Sequence, residues 1–544
     1  MPSLLGLPEP TTPINTTMLS LLGLPEPITL RVLELASEMH VPEDGSWKHR
    51  LRLLAVCSEL RRLALPLVFR DAILGVDDAG GRTSIDLITR GSRTPLVKTV
   101  HLTLDAAHPA DVLSQFAFAT HPWAAVRALR IRMLGDEHTV SDSHGAAALG
   151  RCMAQSMRRV TCVELTAHSG SAAGRVLGDL LVHAYAGQLR VLRSTVGLQF
   201  PGQQGLPLVE CLSLTVDAAE QAVPRVDARR LRWLALRNVA LPPPWPRLAE
   251  GPFARLRHLE LEFCHPPNAA AAAATAAGPA HSPVLGGVSF PALERLWLDG
   301  CASHRVFGPD GSSSGSSLGV LPAHLREVKL FGNACGLRVL SESAVASAER
   351  LHVSVDSEGS AGSEVPGDDA EGFYRSTNRL FGTQGLRPTK SSLMLFHLEF
   401  ALDPRRVAWD NLVSLSVLFT IEYSVVYRLL QRLPGLRHLT SYVFDQTELP
   451  VDPESTALSI DPLETHLQMV CIYNPPGIIG MRSAATSIAA LELLVLQTQS
   501  LRMLVIHNPE LFHAVRNYVN RFKSHYVHLN HLQVKAGDYH LQDA

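Results

Sequence analysis

Apolar positions recur along this chain in a spacing that suits neither a continuous helix nor a long strand. Residues 256–264 read LRHLELEFC, 293–301 read LERLWLDGC and 325–333 read LREVKLFGN, all of the form LxxLxLxxC/N with Val allowed for one Leu. LRWLALRNV at 231–239 keeps the first three apolar positions and loses the polar ending. Weaker copies start at Val97, Val126, Val160 and Val209, and again at Leu393, Leu412, Leu436, Leu467, Leu501 and Leu529. In xLxLx the two leucines point to one face of a strand and the intervening residues to the other. The pattern predicts one short strand per copy, with Leu259, Leu296 and Leu330 sharing a single apolar spine. Cys264, Cys301 and Asn333 close the motif where the chain leaves the strand; there an Asn amide can satisfy unpaired backbone groups and a small Cys can be buried.

The copies are irregular. Starts at 231, 256, 293 and 325 are separated by 25, 37 and 32 residues, so the period wanders outside the roughly 20–29 residues of regular leucine-rich repeats. Segments between the strands are expected to be helices or turns. Three inserts, PPNAAAAAATAAGPAHSP at 266–283, GPDGSSSGSS at 308–317 and DSEGSAGSEVPGDDAEG at 356–372, are too small-residue-rich or acidic to bury much and are read as disordered loops. A single LxxLxL arises by chance in any amphipathic strand, so an ordinary α/β domain with Leu-rich strands is the competing interpretation. Three close copies within about a hundred residues favour the array.

On these motifs the chain resembles the leucine-rich-repeat superfamily, and its cysteine-containing subtype in particular. The resemblance implies an α/β fold over 95–544: an irregular solenoid with a curved parallel sheet, and helices and loops on the convex side.

Ahead of the array the period changes. LPEPITLRVLELA at 24–36 places Ile28, Val32, Leu33 and Leu35 at helical spacing behind a Pro suited to a first turn. After the polar connector VPEDGSWKHR, apolar residues return at Leu51, Leu54, Val56, Leu60, Leu63 and Leu67, with Arg61 and Arg62 on the wetter side. A second helix is expected there, stopping before Pro66 because the residue preceding proline avoids α geometry. Two short helices bury little alone, so this unit needs either a partner or the array to complete its core. SLLGLPEP occurs at both 3–10 and 20–27, and only the second copy runs into a helical pattern; residues 1–19 are read as a disordered tail.

Over 20–75 the chain resembles F-box modules. Leu24-Pro25-Glu26, then Ile28, Leu30 and Val32, then Val56-Cys57, Arg61-Arg62-Leu63-Ala64 and Leu65-Pro66-Leu67 follow that pattern, with Leu60 where the family usually has tryptophan and a longer connector. The resemblance implies docking to a Skp-family adaptor of a cullin-based ubiquitin ligase through Leu24, Pro25, Ile28, Val56, Cys57, Leu60 and Leu63. The alternative is that these residues only cap the apolar end of the first repeat.

If the strands stack, the residues between the leucines form columns: Trp233, His258, Arg295 and Glu327; Ala235, Glu260, Trp297 and Lys329; Arg237, Glu262, Asp299 and Phe331. Aromatic side chains among charges are typical of protein-binding hot spots. Trp233, Arg237, Glu260, Glu262, Trp297, Asp299, Lys329 and Phe331 are therefore the candidate substrate-binding residues.

Charge and composition narrow the class. The 544 residues are 46% hydrophobic and 18% charged, enough apolar material for a large folded core, and the net charge of −2 gives no global basic field for nucleic acid. Eight cysteines without a CxxC pair read as reduced thiols of a cytoplasmic or nuclear protein. No secretory signal and no membrane span is expected. The sequence lacks GxxxxGK[ST], HExxH and GxGxxG, while GSSSG at 311–315 lies in a Ser/Gly run rather than on a nucleophile elbow. His525, His528 and His531 lie three apart near the expected last strand, where alternation sends them to opposite faces. No cofactor, metal or catalytic group is expected. The resulting expectation is a non-catalytic substrate receptor of a Skp-cullin-F-box ligase, or else a stand-alone leucine-rich interaction scaffold.

Overall fold

The computed structural model describes residues 26–38, 58–74, 93–110, 123–135, 141–168, 170–200, 205–217, 222–239, 245–263, 289–299, 325–332, 348–356, 366–382, 390–398, 402–419, 421–442, 444–445, 463–473 and 481–537. They fall into two compact units, residues 1–189 and 190–544.

The first unit contains helices α1 (Glu26–Glu38) and α2 (Ser58–Val68), strands β1 (Asp71–Leu74), β2 (Thr99–Asp105), β3 (Ala128–Leu134) and β4 (Cys162–Thr166), and helices α3 (Ser143–Ser156) and α4 (Ala172–Tyr185). The four strands pair in parallel and in chain order. Alternation is strict, with Val100, Leu102, Leu104, Leu129, Ile131 and Met133 turned inward. Local chemistry sets the helix starts. Asp142 accepts from the Gly145 N–H at 2.9 Å and Ser171 from the Gly174 N–H at 3.1 Å, so each side chain satisfies an N–H that the first helical turn leaves unpaired. Glycine is needed at 145 because a Cβ there would overlap the capping Asp142 carboxylate.

In the second unit the main ladder consists of β5 (Val191–Ser194), β7 (Cys211–Thr215), β9 (Trp233–Val239), β10 (His258–Phe263), β11 (Arg295–Asp299), β12 (Glu327–Gly332), β13 (Arg350–Asp356), β14 (Lys390–His397), β15 (Ser414–Val417), β17 (His438–Ser441), β19 (Met469–Ile472), β20 (Met503–Ile506) and β21 (Gln533–Ala536). Each strand pairs in parallel with the next one in this order. Two short side pairs flank it: β6 (Gly205–Leu206) with β8 (Arg225–Val226), and β16 (Ile421–Glu422) with β18 (Phe444–Asp445). Helices α5 (Trp245–Leu248), α6 (Pro366–Phe381), α7 (Tyr423–Arg432), α8 (Met481–Gln497) and α9 (Pro509–Phe522) lie between strands.

The apolar spine follows the expected register. Leu234, Leu259, Leu296 and Val328 are successive partners, as are Leu236, Leu261, Leu298 and Leu330, and none is more than 2% exposed. Full burial of one such side chain contributes about 1.5–3 kcal/mol, so the spine stabilises every strand that contributes to it. Off the strands, Phe253 stacks on Phe290 at 5.4 Å between centroids, with the Trp245 ring edge-on to both.

Two other copies show what stands in the motif-closing position. Asp105 stands in the motif-closing position of the copy at Val97, and its carboxylate accepts from the Ala107 N–H at 2.9 Å. Val239 takes that position in β9 and is fully buried, while Asn238 just before it has φ 58° and donates to the Val216 carbonyl at 2.9 Å. Cys264, Cys301 and Asn333 lie outside the described residues.

Several expectations are corrected. Helix α2 does not stop before Pro66 but continues to Val68. Carrying an interior proline costs about 3 kcal/mol. The extra turn offsets this by placing Val68 and Phe69 at 0% exposure beside the buried Ala64. The stretch 356–372 is not one loop: its last seven residues open α6, in which Phe373, Tyr374, Thr377, Leu380 and Phe381 recur at helical spacing and are buried. The inserts at 266–283 and 308–317, the tail 1–19 and GSSSG lie outside the described residues. His528 and His531 do lie on the approach to the last strand, β21, but in a 3₁₀ turn, Val527–His531, and not in extended backbone, so strand alternation does not apply to them; the His528 ring nitrogen contacts the Val495 carbonyl at 3.1 Å. Among the described residues no group of three His, Cys, Asp or Glu could hold a metal, and no helix is long and apolar enough to cross a membrane. Cys152, Cys162, Cys211 and Cys471 are free thiols.

Candidate functional site

The face of the second-unit ladder opposite the leucine spine carries the predicted columns. Trp233, His258, Arg295 and Glu327 are successive register partners, and so are Ala235, Glu260, Trp297 and Lys329. In the third column Glu262 pairs with Asp299, whereas the register shifts between β9 and β10 after Leu261, so that Arg237 reaches Glu262 by its side chain instead. Phe331 lies one strand further on, edge-to-face with Phe396 at 5.5 Å.

Two groups of side chains form on this face. In the first, the His258 imidazole stacks on Trp233 at 3.9 Å with 27° between planes, and the Arg193 guanidinium lies 5.8 Å from the Trp233 ring. Glu260 sits beneath, only 7% exposed, with Arg237 at 3.3 Å and His258 at 3.7 Å. The neighbouring His258 imidazole, and then the Arg237 guanidinium, hold the Glu260 carboxyl below the ordinary carboxylate range although burial pushes the other way. Glu260 therefore positions Arg237 and His258 rather than meeting a ligand itself. Ala235 is 1% exposed and contributes no reachable side chain.

In the second group, Lys329 Nζ lies 5.4 Å from the Trp297 ring and 3.7 Å from Glu327. Arg295 approaches the same carboxylate at 3.6 Å and His352 at 4.0 Å. Burial, and then the charge of Lys329, lower the His352 pKa, which favours a neutral ring whose Nδ1 meets Ser392 Oγ at 2.6 Å. Trp297 is half-buried and Lys329 exposed, so a ligand can reach both.

Sequence reasoning missed Arg350, His352 and Lys390, which extend the columns onto β13 and β14. The copy that holds β13 reads AERLHVSV, with Ala348 in place of the first Leu. Ala348 is nonetheless 1% exposed and fills the spine position; accepting any small apolar residue there would have found the strand. β5 was hidden in the same way, because Ser194 replaces the second strand leucine, is 4% exposed and satisfies its hydroxyl on the Val196 carbonyl at 2.9 Å.

At the chain start, α1 and α2 are in contact, and Arg62 lies 3.9 Å from Glu26. Thr29 and Leu33 of α1 are buried, at 2% and 3% exposure, while Ile28 and Val32 are 49% and 39% exposed. Leu63 is 8% exposed, turned inward. Leu24, Pro25, Val56 and Cys57 lie outside the described residues, as does the side chain of Leu60.

Comparisons with protein-family models and with curated proteins give no match to this chain.

Proposed function

We propose that the protein is the substrate-recognition subunit of a Skp-cullin-F-box ubiquitin ligase, with α1 and α2 docking a Skp-family adaptor and the open face of the second-unit ladder binding a protein substrate. The observation that carries this reading is the pair Ile28 and Val32. They lie one helical turn apart on the same face of α1 and remain exposed while Thr29 and Leu33, about 100° round the helix, are buried. An apolar pair left in water beside a completed inner face suits an interface better than a core. Such a receptor contributes proximity, holding a substrate lysine near a charged conjugating enzyme, and supplies no reactive group of its own. The described columns fit that role because they offer aromatic and charged contacts, not a nucleophile with a base and an orienting group.

Leu63 favours a second reading, a stand-alone leucine-rich-repeat interaction scaffold with a helical cap, because that side chain faces inward as a cap residue would. Capture of the purified chain by an immobilised Skp-family adaptor separates the two. The ligase reading expects capture, and expects Ile28→Asp with Val32→Asp to abolish it without lowering Tm. No capture of the unaltered chain leaves the scaffold.

A further inference from the structure

The open face is not uniform along the ladder. On β11 to β14 the face carries four cationic side chains, Arg295, Lys329, Arg350 and Lys390, against the carboxylates of Asp299 and Glu327, of which Glu327 is approached by Arg295 at 3.6 Å and Lys329 at 3.7 Å. Arg326 and Glu349, which precede β12 and β13, add one charge of each sign. Arg350 and Lys390 are direct register partners on adjacent strands and both are exposed; Glu327 stands in register on the other side of Arg350, but neither cation makes an ion pair among the described residues. Strands lie about 4.8 Å apart, and like charges placed opposite one another are destabilising. A bound carboxylate would remove that cost.

Beyond β14 the character changes. Ser392, Ser414, His438, Met469 and Met503 follow one another in register, all half-buried, so hydroxyls give way to two thioethers. Met is unbranched and polarizable, and it adapts to apolar side chains of varied shape. From β13 to β19 there are four strand spacings, about 19 Å, which an extended peptide covers in about six residues.

We infer that this stretch of the face binds an extended acidic segment of a partner protein, with carboxylates at Arg350 and Lys390 and an apolar side chain about six residues away on Met469 and Met503. The inference deepens, and rests on, the reading of this face as the substrate surface. A continuous polyanion fits less well, since Glu262 and Asp299 stand on the same face and would repel it. The net charge of −2 gives no field to attract one.

The test is fluorescence anisotropy with the full chain and a labelled Gly/Ser peptide carrying Glu-Glu at one end and Leu about six residues away. The same peptide with Lys-Lys, single-stranded RNA and phosphatidylserine vesicles serve as competitors. Arg350→Glu with Lys390→Glu should weaken the acidic peptide about tenfold and strengthen the Lys-Lys peptide. Arg350→Ala with Lys390→Ala should give a smaller loss, and Met469→Ser with Met503→Ser should remove the preference for Leu. Equal binding of the two peptides, no loss in the charge-reversed chain, or tighter binding of RNA or vesicles would overturn the inference. Adaptor capture is scored on the same samples: capture without acidic-peptide preference overturns this inference alone, and acidic-peptide binding without capture supports it while removing the ligase link.

Discussion

At the residue scale, the consequential arrangement is Glu260 held between Arg237 and His258 below the Trp233 ring. Its carboxyl titrates below the ordinary range, so the stability it confers is present above the unfolded value near 4.5 and is lost as pH falls through the lowered folded value. Glu260→Gln should therefore cost about 2 kcal/mol at neutral pH, with the gap to the unaltered chain closing in acid, as read by chemical denaturation at several pH values. His352 should titrate below 6.5, because burial and Lys329 both oppose its charge; NMR of its ring protons checks this. Trp297→Ala should weaken substrate binding by several-fold and leave Tm unchanged, since the ring is half-buried and packs against Lys329. Unfolding instead would place Trp297 in the core. Trp297 and Lys329 were legible because their strands keep every apolar position of the motif, with Val328 standing for one Leu. The Arg350 and Lys390 pair was not, because Ala348 weakens the motif that frames it.

At the element scale, alternation proved the reliable signal. The strands at Val97, Val126, Val160, Val209, Leu231, Leu256, Leu293 and Leu325 all form where the LxxLxL copies place them, because a two-residue period with one buried face fixes register. Leu298→Ala should cost about 2–5 kcal/mol, since the side chain is fully buried between Leu261 and Leu330. Failures came where composition hid periodicity. The start of α6 is acidic and Gly-rich, and its helix becomes readable only from Phe373 onward. Pro66 signals a helix end by local rules, yet burial of Val68 and Phe69 outweighs them. Pro66→Ala should therefore stabilise the first unit, provided its local backbone relaxes, and raise Tm by a few degrees.

At the scale of the whole molecule, the account divides labour between an apolar pair on α1 and a polar, aromatic face on the second-unit ladder. For the proposed receptor the ladder offers a spine of buried apolar residues that fixes each strand, so that Trp297, Lys329, Arg350 and Lys390 are presented at set spacings. The two helices α1 and α2 were legible in the sequence, whereas the inward turn of Leu63 was not, because helical spacing alone does not say which side meets the core. Hydrogen–deuterium exchange of the purified chain, with and without a Skp-family adaptor, tests this division most directly. The account predicts slowed exchange over 26–33 on adding adaptor and no change in β10 to β14. Unchanged exchange over 26–33, or protection centred on 258–299, would contradict it.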